Sequence, residues 1–301
     1  MKKILIAGLI NIETTVKINE FPIEYAPIDY QFFGVESTIS GVGYNIAKAV
    51  RTLGDEPVVL SLIGDDIYKE AIEVEFKKND IKTDYIKAVL KDTAQSTILY
   101  DNEGKRRITL DLKDIQDREY DKEGIQDILK DVDVAAICNI NFARGLLTEA
   151  KKANKVIASD VHVVNDINDE YNRDFMENSN ILFLSNEAIL GKEKEFLNTL
   201  IENFNNEIIV VGMGKQGSLM YVRKDNKIVE YPAIDTRKIV STIGAGDALF
   251  SAFIHYYIKN GDPYAAIENA TYFASYKIGE KGAASGFITE SQLEELKEKN
   301  K

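Results

Sequence analysis

The stretch that decides the fold is IVSTIGAGDALF, residues 239–250. The β-branched pair at its start predicts the end of a strand, the small residues Gly244, Ala245 and Gly246 predict a turn, and the apolar run that continues to about Tyr257 has the length of a helix. Because glycine permits unusual φ values, we expect the main-chain N–H groups of this turn to point outward at the helix N-terminus. The helix macrodipole favours negative charge there, so the stretch predicts an anion-binding cradle.

Asp247 follows the cradle in the first turn of the same predicted helix. Asp is favoured near helix N-termini, and that explanation accounts for an isolated Gly-x-Gly-Asp sequence. A second interpretation assigns chemistry to it. With a phosphoryl group in the cradle, Asp247 is placed to accept the proton of an attacking alcohol. Both interpretations stay open at this point.

Length and composition favour one large α/β domain. The chain has 301 residues, of which 45% are hydrophobic, and no Pro/Gly/Ser-rich linker divides it. A net charge of -12 argues against a nucleic-acid or anionic-membrane partner, because such partners require clustered Lys and Arg. ATP remains compatible, since main-chain N–H groups and a few cations hold it. No segment approaches the ~20 apolar residues of a membrane span.

The single cysteine and the N-terminus both indicate a cytoplasmic protein. Cys138 has no partner for an internal disulfide and lies in an apolar, strand-like run, so we expect a buried structural thiol. Residues 1–8 resemble the start of a signal peptide. Their apolar run is short and leads directly into a polar stretch, which favours a buried first strand.

Apolar strand-like runs alternate with helical segments through most of the chain. This alternation is typical of βαβ units and predicts a mostly parallel central sheet. The strand-like runs are 58–63, 132–141, 156–159, 181–185 and 208–211. Shorter strand-like segments predict a small separate sheet; they are 14–18, 30–33, 96–100 and 107–110, the last two joined by a turn at 101–104.

A second glycine-rich turn opens a predicted helix within residues 40–54. Apolar residues recur there at helical spacing, and Gly54 is suited to the helix C-terminus. Two explanations stay open. One is a glycine turn before a core helix; the other is a site where Gly41 and Gly43 allow close approach of a ligand that Asn45 faces.

Polar residues follow several predicted strands, where open α/β sheets place their ligands. Asn11 and Glu13 follow the first strand, although an ordinary polar loop accounts for them equally well. By position alone, Asn141 is a candidate substrate ligand. His162 is a candidate substrate contact, and it lacks the Cys and His spacing of a metal site.

Residues 212–217 read GMGKQG after a predicted strand. A dinucleotide-binding fingerprint requires a helix to follow these glycines. Residues 218–222 instead predict another strand, which disfavours dinucleotide binding. The phosphate-binding sequence G-x-x-x-x-G-K-[ST] does not occur in the chain.

Three of these motifs together resemble a known family. Residues 241–247, STIGAGD, resemble the C-terminal signature D-T-x-G-A-G-D of the ribokinase-like (PfkB-type) carbohydrate and nucleoside kinases. Residues 40–45, SGVGYN, are similar to the family's N-terminal G-G-x-x-x-N, and GMGKQG is similar to its nucleotide-binding turn T-x-G-x-x-G. The motifs occur in the family's order, and the resemblance covers essentially the whole chain.

The resemblance implies one ribokinase-like domain over residues 1–301, a three-layer αβα fold with a small β-sheet lid formed by about 12–39 and 95–111. It implies ATP-dependent phosphorylation of a hydroxyl group on a sugar or nucleoside, with Mg²⁺ accompanying ATP. Lid sheets of the family often pair, so a homodimer is expected. In the family, the loop corresponding to 279–286 surrounds adenine and a monovalent cation.

The resemblance also implies roles for individual residues. Asp247 is expected to be the general base, and the N–H groups of Gly244, Ala245 and Gly246 the anion hole. The expected substrate-binding residues are Asn11, Glu13, Gly41, Gly43, Asn45 and, from its position, Asn141. The expected nucleotide-binding residues are Asn186, Gly212, Gly214, Gly217 and Thr271.

Besides Gly212 for the Thr of the nucleotide-binding turn, four positions depart from the family pattern: Glu13 for Asp, Ser40 for Gly, Ile189 for the Glu of an N-x-x-E motif, and Ser241 for Asp. The residue at 241 weakens the case for potassium dependence. The residue at 189 predicts altered magnesium handling unless Glu187 substitutes. The departures also leave open a catalytically silent sugar- or nucleotide-binding homologue. The other alternative is a dinucleotide-dependent oxidoreductase, and only the glycines of residues 212–217 support it.

Overall fold

The computed structural model describes residues 1–103 and 105–300. Within these ranges the chain forms thirteen strands in two sheets. They are β1 (Lys3–Ala7), β2 (Asn11–Lys17), β3 (Val35–Ser40), β4 (Glu56–Gly64), β5 (Ile86–Leu90), β6 (Gln95–Tyr100), β7 (Arg106–Asp111), β8 (Val134–Ile137), β9 (Val156–Val163), β10 (Ile181–Ser185), β11 (Ile208–Gly212), β12 (Ser218–Val222) and β13 (Lys227–Tyr231).

Nine α-helices accompany these strands within the described ranges. They are α1 (Val42–Thr52), α2 (Lys69–Lys78), α3 (Ile125–Lys130), α4 (Arg144–Lys152), α5 (Arg173–Asn178), α6 (Glu193–Asn203), α7 (Ala245–Asn260), α8 (Pro263–Lys277) and α9 (Glu290–Lys299). Helix α8 begins at Pro263, and Asp262 caps it by accepting hydrogen bonds from the N–H groups of Tyr264 and Ala265.

The main sheet has the strand order β13-β12-β11-β10-β9-β8-β1-β4-β5. The seven strands from β11 to β5 in this order run parallel, and β12 and β13 add an antiparallel edge. The chain starts at β1, fills one side through β4 and β5, and then returns to β8 on the other side of β1. This reversal places a topological switch point beside β1, where such sheets bind ligands at the strand ends.

Two hydrophobic cores lie on opposite faces of the main sheet. In β1, Ile4 and Ile6 point into the core shared with α1, α2, α7, α8 and α9, whereas Leu5 and Ala7 point into the core shared with α3, α4, α5 and α6. Because successive side chains of a strand face opposite sides, a continuously apolar strand serves both cores. The result is the predicted three-layer αβα arrangement.

A four-stranded second sheet has the order β3-β2-β6-β7 and forms the predicted lid. Strands β6 and β7 pair antiparallel, and the Asp101 carboxylate accepts hydrogen bonds from the N–H groups of Glu103 and Lys105 in the turn between them, each at 2.9 Å. Gly104, which we included in that turn, lies outside the described residues.

Two predicted strand segments are wrong. Residues 30–33 form no strand; the lid strand is Val35–Ser40, whose register pairs Val35 with Val16. Residues 239–240 also form no strand, because the N–H groups of Val240 and Ser241 donate to the Ile278 carbonyl at the end of α8 and not to a neighbouring strand. The cradle therefore follows a loop that is fixed by α8.

Other predictions are confirmed. The N-terminal run forms the buried strand β1, and Cys138 is a buried free thiol immediately after β8. Burial raises the pKa of this thiol, and the charges of Asp247 and Asp160 add to the effect. Among residues 1–103 and 105–300, no helix is both long and apolar enough to cross a membrane.

Candidate active site

The two glycine-rich signatures meet at one hydrogen bond. Asn45 lies in the first turn of α1, and its Nδ2 donates to Oδ2 of Asp247 in the first turn of α7 at 2.7 Å, although the two residues are 202 positions apart in the chain. The N-termini of the two helices therefore converge at the carboxyl end of the sheet. The carboxylate of Asp247 is held in one orientation there.

The cradle beside Asp247 has the predicted geometry in part. Gly244 has a left-handed φ of 74°, and a Cβ at this position would lie 2.4 Å from the Ala283 carbonyl oxygen, so only glycine fits. The Ala245 N–H donates to the Thr242 carbonyl at 3.2 Å. The N–H groups of Gly244 and Gly246 have no acceptor among the described residues. Two of the three expected donors thus remain for a ligand.

The environment of Asp247 favours a basic carboxylate. Burial raises the pKa of Asp247, and the negative charge of Asp160 adds to this increase, whereas His162 and the hydrogen bond from Asn45 oppose it. A carboxylate with a raised pKa accepts a proton more readily than an exposed Asp. This is the property that a general base requires.

The predicted substrate side contains two buried side-chain oxygens without a hydrogen-bond partner among the described residues. Asn11 Nδ2 donates to Ser96 Oγ at 2.9 Å, but Asn11 Oδ1 has no hydrogen-bond partner among the described residues. Ser40 Oγ donates to Glu13 Oε2 at 3.1 Å and lies 3.4 Å from Asn45 Oδ1, whereas Glu13 Oε1 has none. Burial raises the pKa of Glu13. Buried oxygens of this kind ordinarily bind a donor.

Gly41 and Gly43 are explained by packing against the main chain. A Cβ at Gly41 would lie 2.4 Å from the Leu9 carbonyl oxygen, and one at Gly43 would lie 2.6 Å from the Gly8 carbonyl oxygen. The neighbour that approaches them closely is thus the chain after β1. Because neither glycine has a side chain, α1 packs directly against this segment, and this packing directs Asn45 toward Asp247.

Two other candidate residues have different surroundings. Asn141 Nδ2 donates to the Gln116 carbonyl at 2.6 Å, and Arg144 Nε donates to Asn141 Oδ1 at 3.1 Å, so the side chain is not brought to Asp247. His162 has a φ of 56°, and its Nδ1 lies 3.8 Å from Asp160 Oδ2. His162 therefore lies next to Asp160, whose Oδ2 is 3.9 Å from the position of a Cβ on Gly246 in the cradle.

The predicted nucleotide side begins at the end of β10. Asn186 is buried, and its Nδ2 donates to Glu193 Oε1 at 2.8 Å, which lowers the pKa of Glu193. Ile189 is part of the hydrophobic core. Glu187 is exposed, with Oε1 4.0 Å from Arg106 Nη2.

The glycines at 212–217 lie between two antiparallel strands. The strand predicted at residues 218–222 is confirmed as β12, so the helix that a dinucleotide fingerprint requires does not follow these glycines. Within residues 1–103 and 105–300, Gly214 has no neighbour within 4 Å of an added Cβ, whereas a Cβ at Gly217 would lie 1.9 Å from the Tyr231 carbonyl oxygen. Gly214 is accessible to a ligand, Gly217 permits strand packing, and Gly212 ends β11. Thr271 Oγ1 donates to the Ile267 carbonyl within α8.

Sequence reasoning missed three charged residues of the site. Arg106 of the lid donates to Thr242 Oγ1 at 2.9 Å, and Asp160 lies against the cradle, with Oδ2 3.9 Å from the position of a Cβ on Gly246. Lys277, at the end of α8, is completely buried. A lysine on a helix and an arginine on a short strand read as surface residues; only their tertiary neighbours reveal otherwise.

Among residues 1–103 and 105–300, no group of three or more His, Cys, Asp or Glu side chains is arranged to hold a metal ion. Mg²⁺ commonly keeps several waters and binds one or two carboxylates together with substrate phosphates. Asp160 is a carboxylate at the edge of the cradle and meets this requirement. The residues therefore fit a magnesium ion that is bound jointly with a phosphate ligand.

Comparison with known proteins identifies the family. The model of the pfkB family carbohydrate kinases matches residues 1–290. Ribokinase of Dictyostelium discoideum is 24% identical, over 96% of this chain and 98% of its own. Two solved structures share the fold: a microbiome-derived acarbose kinase (22% identical, TM-score 0.87, 98% of both chains) and the Methanocaldococcus jannaschii nucleoside kinase (20% identical, TM-score 0.81, 99% of both chains). The chain belongs to the pfkB family of carbohydrate kinases.

Proposed function

We propose that the protein transfers the γ-phosphoryl group of ATP to a hydroxyl group of a sugar or nucleoside. The observation that carries this proposal is the hydrogen bond between Asn45 and Asp247, which joins the two signatures. It lies beside the N–H groups of Gly244 and Gly246, which have no acceptor in the part of the chain that the structure describes. Asp247 then accepts the proton of the acceptor hydroxyl, and the cradle binds the phosphoryl group that is transferred to it. Phosphoryl transfer requires mainly this positioning and charge stabilisation.

In this proposal Asp247 accepts the proton of the acceptor hydroxyl as its oxygen bonds to phosphorus. The bond between the γ-phosphorus and the bridging oxygen of ADP breaks, and ADP leaves with the electron pair. The cradle N–H groups stabilise charge on the transferring group, and one such donor is typically worth about 3 kcal/mol. When bound with ATP, Mg²⁺ neutralises phosphate charge, and Asp160 is the residue that we propose helps to hold it.

The acceptor side favours a compound with neighbouring hydroxyl groups. Asn11 Oδ1 and Glu13 Oε1 are both buried acceptors, so each requires a donor from the ligand. A hydroxyl group donates one hydrogen bond and can accept others, so a ligand hydroxyl can bind each of these two oxygens. The proteins to which the chain is similar include a ribokinase, an acarbose kinase and a nucleoside kinase. Sugars and nucleosides both have neighbouring hydroxyl groups, so the proposed acceptor is a sugar or a nucleoside.

ADP release from Mg-ATP tests the proposal across pentoses, hexoses, sugar phosphates and nucleosides. We expect one compound to be turned over, with kcat falling strongly in the Asp247→Asn variant. Two results would contradict the proposed kinase function. The first is ADP release that does not depend on an acceptor, and the second is binding of ATP and an acceptor without ADP release. The second result would establish a silent binding protein, which no observation in the structure favours.

Two of the departures from the family pattern compensate each other. Glu13 is longer than the expected Asp, and Ser40 supplies a hydroxyl that binds one of its oxygens. Both residues are buried, so loss of the Ser40 hydroxyl leaves Glu13 Oε2 without its hydrogen-bond partner. The pair therefore supports a working substrate site.

A double-mutant cycle tests this compensation. Glu13→Asp and Ser40→Gly are each expected to lower kcat/KM for the acceptor roughly 10-fold or more, and the double variant is expected to recover part of the loss, with a coupling energy of about 1–2 kcal/mol. Ser37→Gly is the matched control, because Ser37 pairs with Thr14 on the same two strands at an exposed position. Strictly additive free energies would refute the compensation.

We also propose that the lid pairs two copies of the chain. Ile108 and Leu110 are about half exposed on one face of β7, and register places Ser96 of the site opposite Leu110. Apolar surface beside a ligand site is typical of an interface. In sedimentation velocity, the wild-type protein is expected to be a dimer and the Leu110→Lys variant a monomer. The control variant Ile228→Lys, on β13, is expected to remain a dimer. A wild-type protein that sediments only as a monomer would remove this proposal.

A further inference from the structure

Lys277 is a completely buried lysine beside the cradle. Its Nζ donates to the carbonyl oxygen of Gly282 at 2.7 Å and to that of Ile243, the residue that precedes Gly244. No carboxylate of the described residues lies within ion-pair distance of it, although its nearest charged surroundings include Asp247 and Glu13. The cation is therefore held by main-chain oxygens.

Burying an ammonium group is unfavourable unless its charge and its N–H groups are used. Here the two carbonyls belong to the two loops that shape the cradle. The main chain of Ala283 packs against Gly244, as the 2.4 Å separation of the Ala283 oxygen from an added Cβ shows. By binding a carbonyl from each loop, Lys277 fixes their relative position.

Lys277 is charged under ordinary conditions. Burial lowers the pKa of Lys277 to about 8, while Asp247 and Glu13 oppose this decrease and Arg106 and Arg237 add to it. The group is thus protonated at neutral pH and loses its charge as the pH rises above about 8. This titration predicts a loss of activity on the alkaline side.

The resemblance to the kinase family predicts a monovalent cation at the loop 279–286. Monovalent cations in proteins are held by main-chain carbonyl oxygens that replace water. In this chain the carbonyls of Ile243 and Gly282 already bind an ammonium group, and Ser241 supplies no carboxylate. The residues present do not fit a free monovalent ion there.

We propose that the Lys277 ammonium is a built-in cation of the active site, which positions the cradle and makes turnover independent of dissolved monovalent cations. This inference rests on the proposed kinase function. It assigns Lys277 as a positioning residue for Gly244 and not as a group that reacts with the substrate.

The first experiment measures ADP release by the wild-type protein in buffers whose only monovalent cation is tetramethylammonium, and then with added K⁺ up to 100 mM. The expected change in kcat is less than 2-fold. Activation of more than about 10-fold by K⁺ would overturn the inference. Absence of turnover in every salt and with every acceptor would instead contradict the proposed function. ²⁰⁵Tl⁺ NMR reads the site without turnover, and the wild-type protein is expected to show no bound signal.

The second experiment uses Lys277→Met, with Lys155→Met as the matched control. Lys155 Nζ also donates to two main-chain carbonyls, those of Val132 and Lys130, away from the cradle. In tetramethylammonium we expect the Lys277 variant to lose on the order of 100-fold in kcat with a much smaller change in KM, as for a lost oxyanion donor. Added K⁺ or NH₄⁺ is expected to restore at least 10-fold and to produce a bound Tl⁺ signal.

The pH profile separates this role from simple structural support. The alkaline decrease of wild-type kcat is expected to disappear in the Lys277 variant when K⁺ rescues it. A variant that folds and either keeps wild-type kcat without K⁺ or is not rescued by any monovalent cation would overturn the inference. If the variant does not fold, the K⁺ response and the Tl⁺ signal of the wild-type protein are the measurements that test the inference.

Discussion

Replacing Asp247 with Asn is expected to lower kcat by on the order of 10²–10⁴, the contribution typical of a general base. The substitution keeps the shape of the side chain and removes only its capacity to accept the proton. Asn45, which donates to Oδ2, finds an amide oxygen at the same place after an amide flip. KM values for ATP and the acceptor should therefore change much less than kcat. The measurement is steady-state ADP release under saturating Mg-ATP.

Asp262→Asn is the control for this change, because Asp262 caps the N-terminus of the next helix and contacts no group of the site. Its kcat is expected to match that of the wild type. Folding of the Asp247 variant is checked by its melting temperature, which should not fall, since burial disfavours the charged form that Asn removes. A variant with near-wild-type kcat would remove Asp247 from the role of base.

The pH dependence of the wild-type protein gives an independent check. Because burial raises the pKa of Asp247, its carboxylate becomes protonated at a higher pH than an exposed Asp. The kcat/KM value is expected to fall as the pH decreases through this raised pKa. A profile that stays flat down to the range of an ordinary Asp would contradict the assignment.

Replacing His255 with Leu is expected to reduce the free energy of unfolding by about 3–5 kcal/mol, the usual effect of leaving a buried charge unpaired. His255 Nδ1 lies 2.6 Å from Asp55 Oδ2, and its Nε2 lies 2.6 Å from Glu290 Oε1. Asp55 is 2% exposed, and when the imidazole is lost the Lys2 N–H is its one remaining partner among the described residues. Urea denaturation of the two proteins measures the difference.

The double variant His255→Leu/Asp55→Asn tests the cause of this loss. Removing the buried charge is expected to recover part of the stability, since a neutral amide is less costly to bury than an unpaired carboxylate. A loss for the single variant of under about 1 kcal/mol would show that the pair behaves like an exposed ion pair and would contradict the prediction.

Acid should weaken the same cluster. Burial alone would raise the pKa of Glu290, but hydrogen bonds from Lys259 and His255 outweigh it and lower that pKa. A lowered pKa in the folded state means that the contribution of Glu290 is present above its unfolded pKa. It is lost as the pH falls through the lowered folded value. Glu290→Gln is expected to show a smaller decrease in stability between neutral and acidic pH than the wild type.

Local signals in the sequence identified most of the architecture. The apolar run of β1 predicted a buried strand, and glycines at 41, 43, 244 and 246 marked the two turns that begin α1 and α7. These features depend on residues close together in the chain, where side-chain alternation and glycine conformations act. Residues 239–240 misled the same reasoning. Their β-branched side chains predict a strand, but their hydrogen-bond partner is the distant end of α8.

Thus the sequence by itself indicated the alternation of strands and helices, the family, and the position of a carboxylate directly after the glycine turn at residues 244–246. Only the tertiary structure decided which of the charged residues act together. The contact of Asn45 with Asp247, the pairing of Glu13 with Ser40, and the burial of Lys277 against Ile243 and Gly282 join separate parts of the chain. The physical reason is that hydrogen bonds, burial and charge act through space, and chain folding sets these distances.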